Sequence, residues 1–112
     1  MRKLLLDENL PRPLKHHFSN QVEILTVPDL GWTSKKNGEL IAAMVDEEIE
    51  YLITVDQNLE YQQNLEKYPI KLVVILSYTN RLKDLIPKVS FIEKCIDEMA
   101  EGQKLLHVDI RD

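Results

Sequence analysis

The chain has 112 residues, a mass of 13.1 kDa and a formal net charge of −5, with 44% hydrophobic and 29% charged residues, which is one ordinary globular domain and excludes both a two-domain enzyme and a disordered chain. The charge is uneven: residues 1–20 are basic and residues 21–60 hold nine acids against Lys35 and Lys36, so the chain lacks the broad positive field of a general nucleic-acid binder. Three Gly, one Cys and no long apolar run argue against a Gly-dependent phosphate loop and exclude an internal disulfide, a Cys-rich metal site and a membrane-spanning segment.

In chain order, Lys3-Leu4-Leu5-Leu6 is a short apolar run that ends at Asp7-Glu8. It reads as a buried strand, residues 2–6; three leucines are too few for a signal peptide, so a cytoplasmic location is expected. Leu10, Leu14 and Phe18 recur every four residues and predict a helix over 9–18, with Pro11 in its first turn and Pro13 where no intrahelical N–H is demanded. Val22 to Val27 is a second strand, and Pro28 to Trp32 a turn. A helix opens at Asn37-Gly38-Glu39, with Asn37 as its cap. Tyr51 to Val55 is a third strand, again ending on an acid, Asp56. Gln57 to Leu65 predicts one or two short helical turns. Ile70 to Leu76 is the strongest strand signal, its unbroken apolar run indicating burial on both faces. Leu85, Val89, Ile92, Ile96 and Met99 predict a long helix starting near Pro87. Leu105 to Ile110 alternates and reads as a last strand at an edge, with an antiparallel course admitted.

Strands alternating with helices predict a single α/β domain over 1–112, three layers deep, with a mainly parallel sheet and helices on both faces. The first strand is expected at the centre, flanked by the second and third, with the crossovers right-handed. Ligands in such sheets sit beyond the carboxyl ends of the strands, where the winding reverses. Asp7 and Asp56 both stand there. Neighbouring parallel strands lie about 5 Å apart, so these acids can share a cation, with Glu39 tilting in from the first turn of the following helix and Glu8 beside Asp7. Carboxylates without Cys or His among them favour Mg²⁺ or Mn²⁺, and carboxylate-held Mg²⁺ serves mainly phosphate chemistry.

The plainer readings are helix capping for Asp7 and Asp56 and a favourable macrodipole contact for Glu39. His16, His17 and His107 read as surface residues, and Cys95 as a small core residue. Trp32 reads as a loop anchor or as packing over the crevice. Arg12, Lys35 and Lys36 are candidate phosphate contacts. Tyr61-Gln62-Gln63-Asn64 is a candidate base- or partner-binding stretch.

Leu5-Leu6-Asp7-Glu8-Asn9-Leu10-Pro11, then Asn37-Gly38-Glu39-Leu40, then Leu52-Ile53-Thr54-Val55-Asp56-Gln57-Asn58-Leu59 resemble, in that order and across roughly residues 3–80, the short bacterial PIN-like proteins. The resemblance implies a metal-dependent ribonuclease fold. It implies Mg²⁺ or Mn²⁺ held by Asp7, Glu39 and Asp56, with Glu8 assisting catalysis, an RNA substrate and no membrane. Many relatives are toxins, which implies a small antitoxin protein as partner; a homodimer is compatible with this. Asn37 stands where many relatives carry an aspartate.

Two rivals use the same features. Phosphoacceptor receiver domains place an acid pair after the first strand, an Asp after the third and a Ser or Thr after the fourth, matched here by Asp7-Glu8, Asp56 and Ser77. They also need a Lys after the fifth strand, and no Lys stands at the carboxyl end of Leu105 to Ile110. The third reading is a binding protein that keeps the fold without catalysis.

Overall fold

The computed structural model describes residues 1–59 and 67–111, with Asn37 described by its backbone alone. Five strands form one sheet: β1 (Arg2–Leu6), β2 (Val22–Thr26), β3 (Tyr51–Thr54), β4 (Lys71–Leu76) and β5 (Leu105–Asp109). Their order is β2-β1-β3-β4-β5 and all neighbours are parallel. β1 therefore lies between β2 and β3, as its apolar run predicts. β5 occupies the edge and runs parallel to β4, from Leu72 opposite Leu105 to Leu76 opposite Asp109, so the antiparallel course is not taken.

The pleat divides the strand side chains between two cores. On one face Leu4, Leu6, Ile53, Val73 and Ile75 pack under Leu14 and under Val89, Ile92 and Ile96. On the other, Leu5, Leu52, Leu72 and Val74 pack under Leu40, Ile41 and Met44 of α1 (Asn37–Asp46). The unbroken apolar run of β4 is explained by this: Leu72 to Ile75 are each at most 1% exposed because both faces are covered.

The segment after β1 departs from the predicted α-helix. Arg12–His17 is a 3-10 helix, with Pro11 extended at its N-cap and Leu14 N–H donating to Pro11 O at 3.0 Å. Pro13 disfavours the α conformation at Arg12 and carries no N–H of its own, so the tighter i to i+3 pattern replaces the longer one. Leu14 is nonetheless fully buried, and His16 and His17 are exposed. Near Pro87 the helix does not simply start. α2 (Leu82–Leu85) precedes it, a 3-10 turn covers Ile86–Lys88, and α3 (Val89–Asp97) follows. Proline interrupts the helical ladder instead of opening it.

The connections differ in hand. The 3-10 segment joins β1 outward to β2 on one face, and α1 returns from β2 across to β3 on the other. These two crossovers share a hand. From β4 to β5 the chain moves in the same direction as from β2 to β3, yet α3 lies on the face of the 3-10 segment, where Glu93 accepts both the N–H and the hydroxyl of Ser19 at 2.7 and 2.6 Å. The last crossover is therefore opposite in hand to the first two, a departure from the usual rule. Burial supplies the reason: the short 3-10 helix cannot cover Ile53, Val73 and Ile75 by itself, and the long connection from Ser77 to Lys104 brings α3 over them.

Candidate functional site

In this strand order the winding reverses between β1 and β3, and their carboxyl ends form the switch point where ligands of doubly wound sheets bind. The main chain of Asp7 continues the ladder, its N–H donating to Ile53 O at 2.9 Å, and Val27 N–H reaches Leu6 O at 3.3 Å. Asp7 is thus held at the end of the central strand by backbone geometry, before its side chain makes any contact.

Thr54, the last residue of β3, is fully buried. Its hydroxyl donates to Asp7 Oδ2 at 2.8 Å and accepts from Asn9 Nδ2 at 3.2 Å and from the Asp56 N–H at 3.0 Å. One oxygen therefore ties both acid-bearing loops together. Asp7 Oδ1 accepts the Glu8 N–H at 2.9 Å, and Asp56 Oδ1 accepts the Asn58 N–H at 3.0 Å. These contacts orient the carboxylates without neutralising them. A third loop joins: Asn80, after β4, donates from Nδ2 to Asn9 O at 2.9 Å. The side-chain oxygen of Asn9 is buried without a hydrogen-bond partner among the described residues, an acceptor left over in the network.

The predicted residues separate here. Asp7 and Asp56 come together through Thr54, both partly buried, and Glu8 is exposed beside Asp7. Glu39 is exposed in the first turn of α1. The expected convergence of Asp7, Glu39 and Asp56 is not preformed: among the described residues no three His, Cys, Asp or Glu side chains gather closely enough to hold an ion. Repulsion between carboxylates without a cation opposes such a cluster. The N-cap of α1 is Lys36, with no side-chain capping bond, and Asn37 is already helical. Asn37 is thus not the cap that its position suggests.

Other candidates take structural roles. Arg12 and Lys15 (2.5 Å) both pair with Asp29. The lysine contact, the Thr26 hydrogen bond and Arg12 hold that carboxyl far below its usual range. Ser77 donates to Thr79 O at 2.7 Å. Trp32 packs against the α1-side core. Cys95 is half-buried, and burial raises its thiol pKa, which suits a packing residue more than a nucleophile. Tyr61-Gln62-Gln63-Asn64 lies outside the described residues, as does most of the predicted Gln57–Leu65 helix.

Thr54, Asn9 and Asn80 are the residues that sequence reasoning missed. A threonine as the last residue of an apolar strand, two places before an acid, is the signal that was available for Thr54. Fold and site together define a doubly wound α/β domain in which the Thr54 hydroxyl links the Asp7 carboxylate to the main chain of Asp56 at the switch point. Comparison with family models, curated proteins and solved structures returns no match.

Proposed function

We propose that the chain is a PIN-like, divalent-metal-dependent ribonuclease. The observation that carries this reading is the Thr54 hydroxyl, which binds Asp7 directly and the main chain of Asp56 at the carboxyl ends of adjacent strands. The donor set suits the implied ion. Mg²⁺ keeps several waters and is commonly held by one or two carboxylates together with substrate phosphate oxygens, so a preformed three-acid cage is not required. Asp7 and Asp56 would hold the ion, with Glu39 and Glu8 reaching it directly or through water. When bound, the ion polarises a phosphoryl oxygen and lowers the pKa of an attacking water.

The chain's own contribution is positional. Thr54 orients the Asp7 carboxylate and anchors the main chain of Asp56, and each carboxylate keeps lone pairs to spare. Asn9 and Asn80 brace the loop that carries Asp7 and Glu8, and the exposed Glu8 would take a proton from the attacking water. A toxin role with a small antitoxin partner, and a homodimer, belong to the same proposal and rest on the resemblance alone.

The strand order favours a second reading, because receiver domains share it. Two features weigh against that reading. Lys104 precedes β5 and donates to Tyr68 O at 2.6 Å, at the end of the sheet remote from Asp56. The β4–β5 crossover is also opposite in hand to the first two, whereas a fold built of right-handed units keeps one hand throughout.

The test is Asp56→Asn, which removes one charge and keeps the shape. Wild type should cleave single-stranded RNA with Mg²⁺ or Mn²⁺ and gain thermal stability from either ion. The variant should lose both effects and stay folded. A wild-type protein whose melting temperature and RNA substrate are untouched by either ion overturns the proposal, and uptake of phosphoryl from acetyl phosphate at Asp56 would replace it with the receiver reading.

A further inference from the structure

The sheet ends on β5, and among the described residues no further strand follows it. Leu72 N–H donates to Lys104 O and Ile110 N–H to Leu76 O, both at 2.9 Å. The even-numbered residues of β5 therefore turn their main-chain groups to β4. Leu105, His107 and Asp109 turn theirs outward, because successive residues of a strand alternate. Natural sheet edges are blunted by lysine, proline or a bulge. Leu105–Asp109 contains neither residue, and it matches β4 residue for residue along its whole length.

The helix above this edge is apolar on the same side. Along α3, Glu93 meets Ser19 and Asp97 pairs with Arg2 at 2.6 Å, so the flank holding residues 93 and 97 looks toward β1 and β2. Phe91, Cys95 and, just past the helix end, Met99 recur every four residues on the opposite flank, toward β5. Phe91 is 48% exposed, and Cys95 and Met99 are half-buried. A hollow of about 400 Å³ joins this flank to the end of β5, lined by Pro87, Lys88, Phe91, Asp109, Ile110 and Arg111.

We propose that β5 is the interface with a second copy of this chain, the two edges pairing antiparallel about a two-fold axis that passes through Val108 perpendicular to the sheet. Such an axis keeps both copies of α3 on one face, so the Phe91 flanks meet above one continuous sheet. Charge selects the register. Outward groups exchange hydrogen bonds only where odd-numbered residues stand opposite one another. Centring on His107 sets the two imidazoles face to face, and centring on Asp109 does the same to the two carboxylates. Centring on Val108 sets each His107 opposite Asp109 of the other copy, with Leu106 opposite Ile110 on the α3 side. Opposite charges across an antiparallel pair favour it and like charges oppose it. Three hydrogen bonds from Arg111 of its own strand leave the Asp109 carboxylate a further acceptor position for the imidazole N–H. Residues 106–110 supply both members of every pair, which favours a second copy over a strand from another protein. The homodimer compatible with the family resemblance thus gains an interface that the resemblance does not specify. The interface is independent of the ribonuclease reading, since β4 separates β5 from the strands that precede Asp7 and Asp56.

Sedimentation equilibrium on the whole chain tests this. Wild type should be dimeric at high micromolar concentration. His107→Glu sets a carboxylate opposite Asp109 at two symmetric places and should weaken the dimer about tenfold. Adding Asp109→Lys to that variant restores opposite signs and should restore the dimer. Phe91→Ser should weaken association several-fold. Residues 91, 107 and 109 are exposed, so every variant should keep the far-ultraviolet circular dichroism of the parent. A wild type that stays monomeric overturns the interface, and a strand from another protein then becomes the occupant to seek. A dimer indifferent to His107→Glu, or one that the second substitution fails to restore, overturns it equally. The ion response of the acid pair, tested by Asp56→Asn, is read independently of all these outcomes.

Discussion

Thr54 shows how much one buried hydroxyl can organise. It is fully buried and satisfies three partners: the Asp7 carboxylate, the Asn9 amide and the Asp56 main chain. Thr54→Val preserves the shape and the β-branch but leaves those three groups unpaired in a partly buried setting. The expected loss is about 1–3 kcal/mol, read as a lowered midpoint in urea unfolding, together with a smaller Mg²⁺-induced rise in melting temperature. Thr54→Ser, which keeps the hydroxyl, should retain most of the ion effect. Equal ion effects in the Val variant and wild type would show that Thr54 stabilises the fold without orienting the carboxylates. Asp7 and Asp56 were legible from sequence because each is the first or second acid after an apolar run. The hydroxyl linking them was not, since a strand threonine has the same appearance whether its side chain meets water, main chain or a carboxylate.

At the scale of elements, the clearest local device ends α1. Glu48 adopts φ 58°, the left-handed region. Its N–H donates to Val45 O at 3.1 Å and the next N–H, of Ile49, to Met44 O at 2.9 Å, the paired bonds of a Schellman ending. Ile49 and Met44 are buried in the same core, supplying the apolar contact that accompanies the motif. Glycine is the usual residue at this position; a glutamate pays backbone strain and adds negative charge at the negative end of the helix. Glu48→Gly should therefore stabilise the protein by about 0.5–1 kcal/mol, the relief of strain exceeding the added freedom of the unfolded chain. Chemical denaturation would read this directly, and a destabilised variant would mean that the glutamate side chain holds a stabilising contact. The same scale explains two departures from sequence expectation. Apolar spacing at 10, 14 and 18 predicts an α-helix; Leu10 and Leu14 are buried and Phe18 packs beside them, but Pro11 and Pro13 impose the tighter helix. The sequence predicts a helix starting near Pro87, whereas the observed chain is helical on both sides of it.

For the whole molecule, the sheet is the wall shared by two cores, and neither face can be exposed without stripping the other of its support. Trp32 lies against the α1-side core and α3 against the opposite one. Unfolding should accordingly be a single cooperative transition, with Trp32 fluorescence and far-ultraviolet circular dichroism superimposing along a urea titration. Separate midpoints would mean that the α3 face opens before the α1 face.

The identity of the strands, the parallel packing of the first four and the burial of β4 on both faces were determined by the sequence itself, because apolar runs of five or six residues between helical patterns have few other ways to leave water. The two acids at strand ends were fixed with them, since strand boundaries place whatever residue comes next at the carboxyl edge. What only the tertiary structure decided depends on contacts between distant segments. The choice of face for α3, and with it the reversed hand of the last crossover, followed from which side of the sheet still lacked cover. The joining of Asp7, Thr54 and Asp56, 47 residues apart at the Asp7–Thr54 bond, followed from the pairing of β1 with β3. A sequence shows which side chains seek burial, but it does not show which surfaces meet when every such demand is satisfied at once.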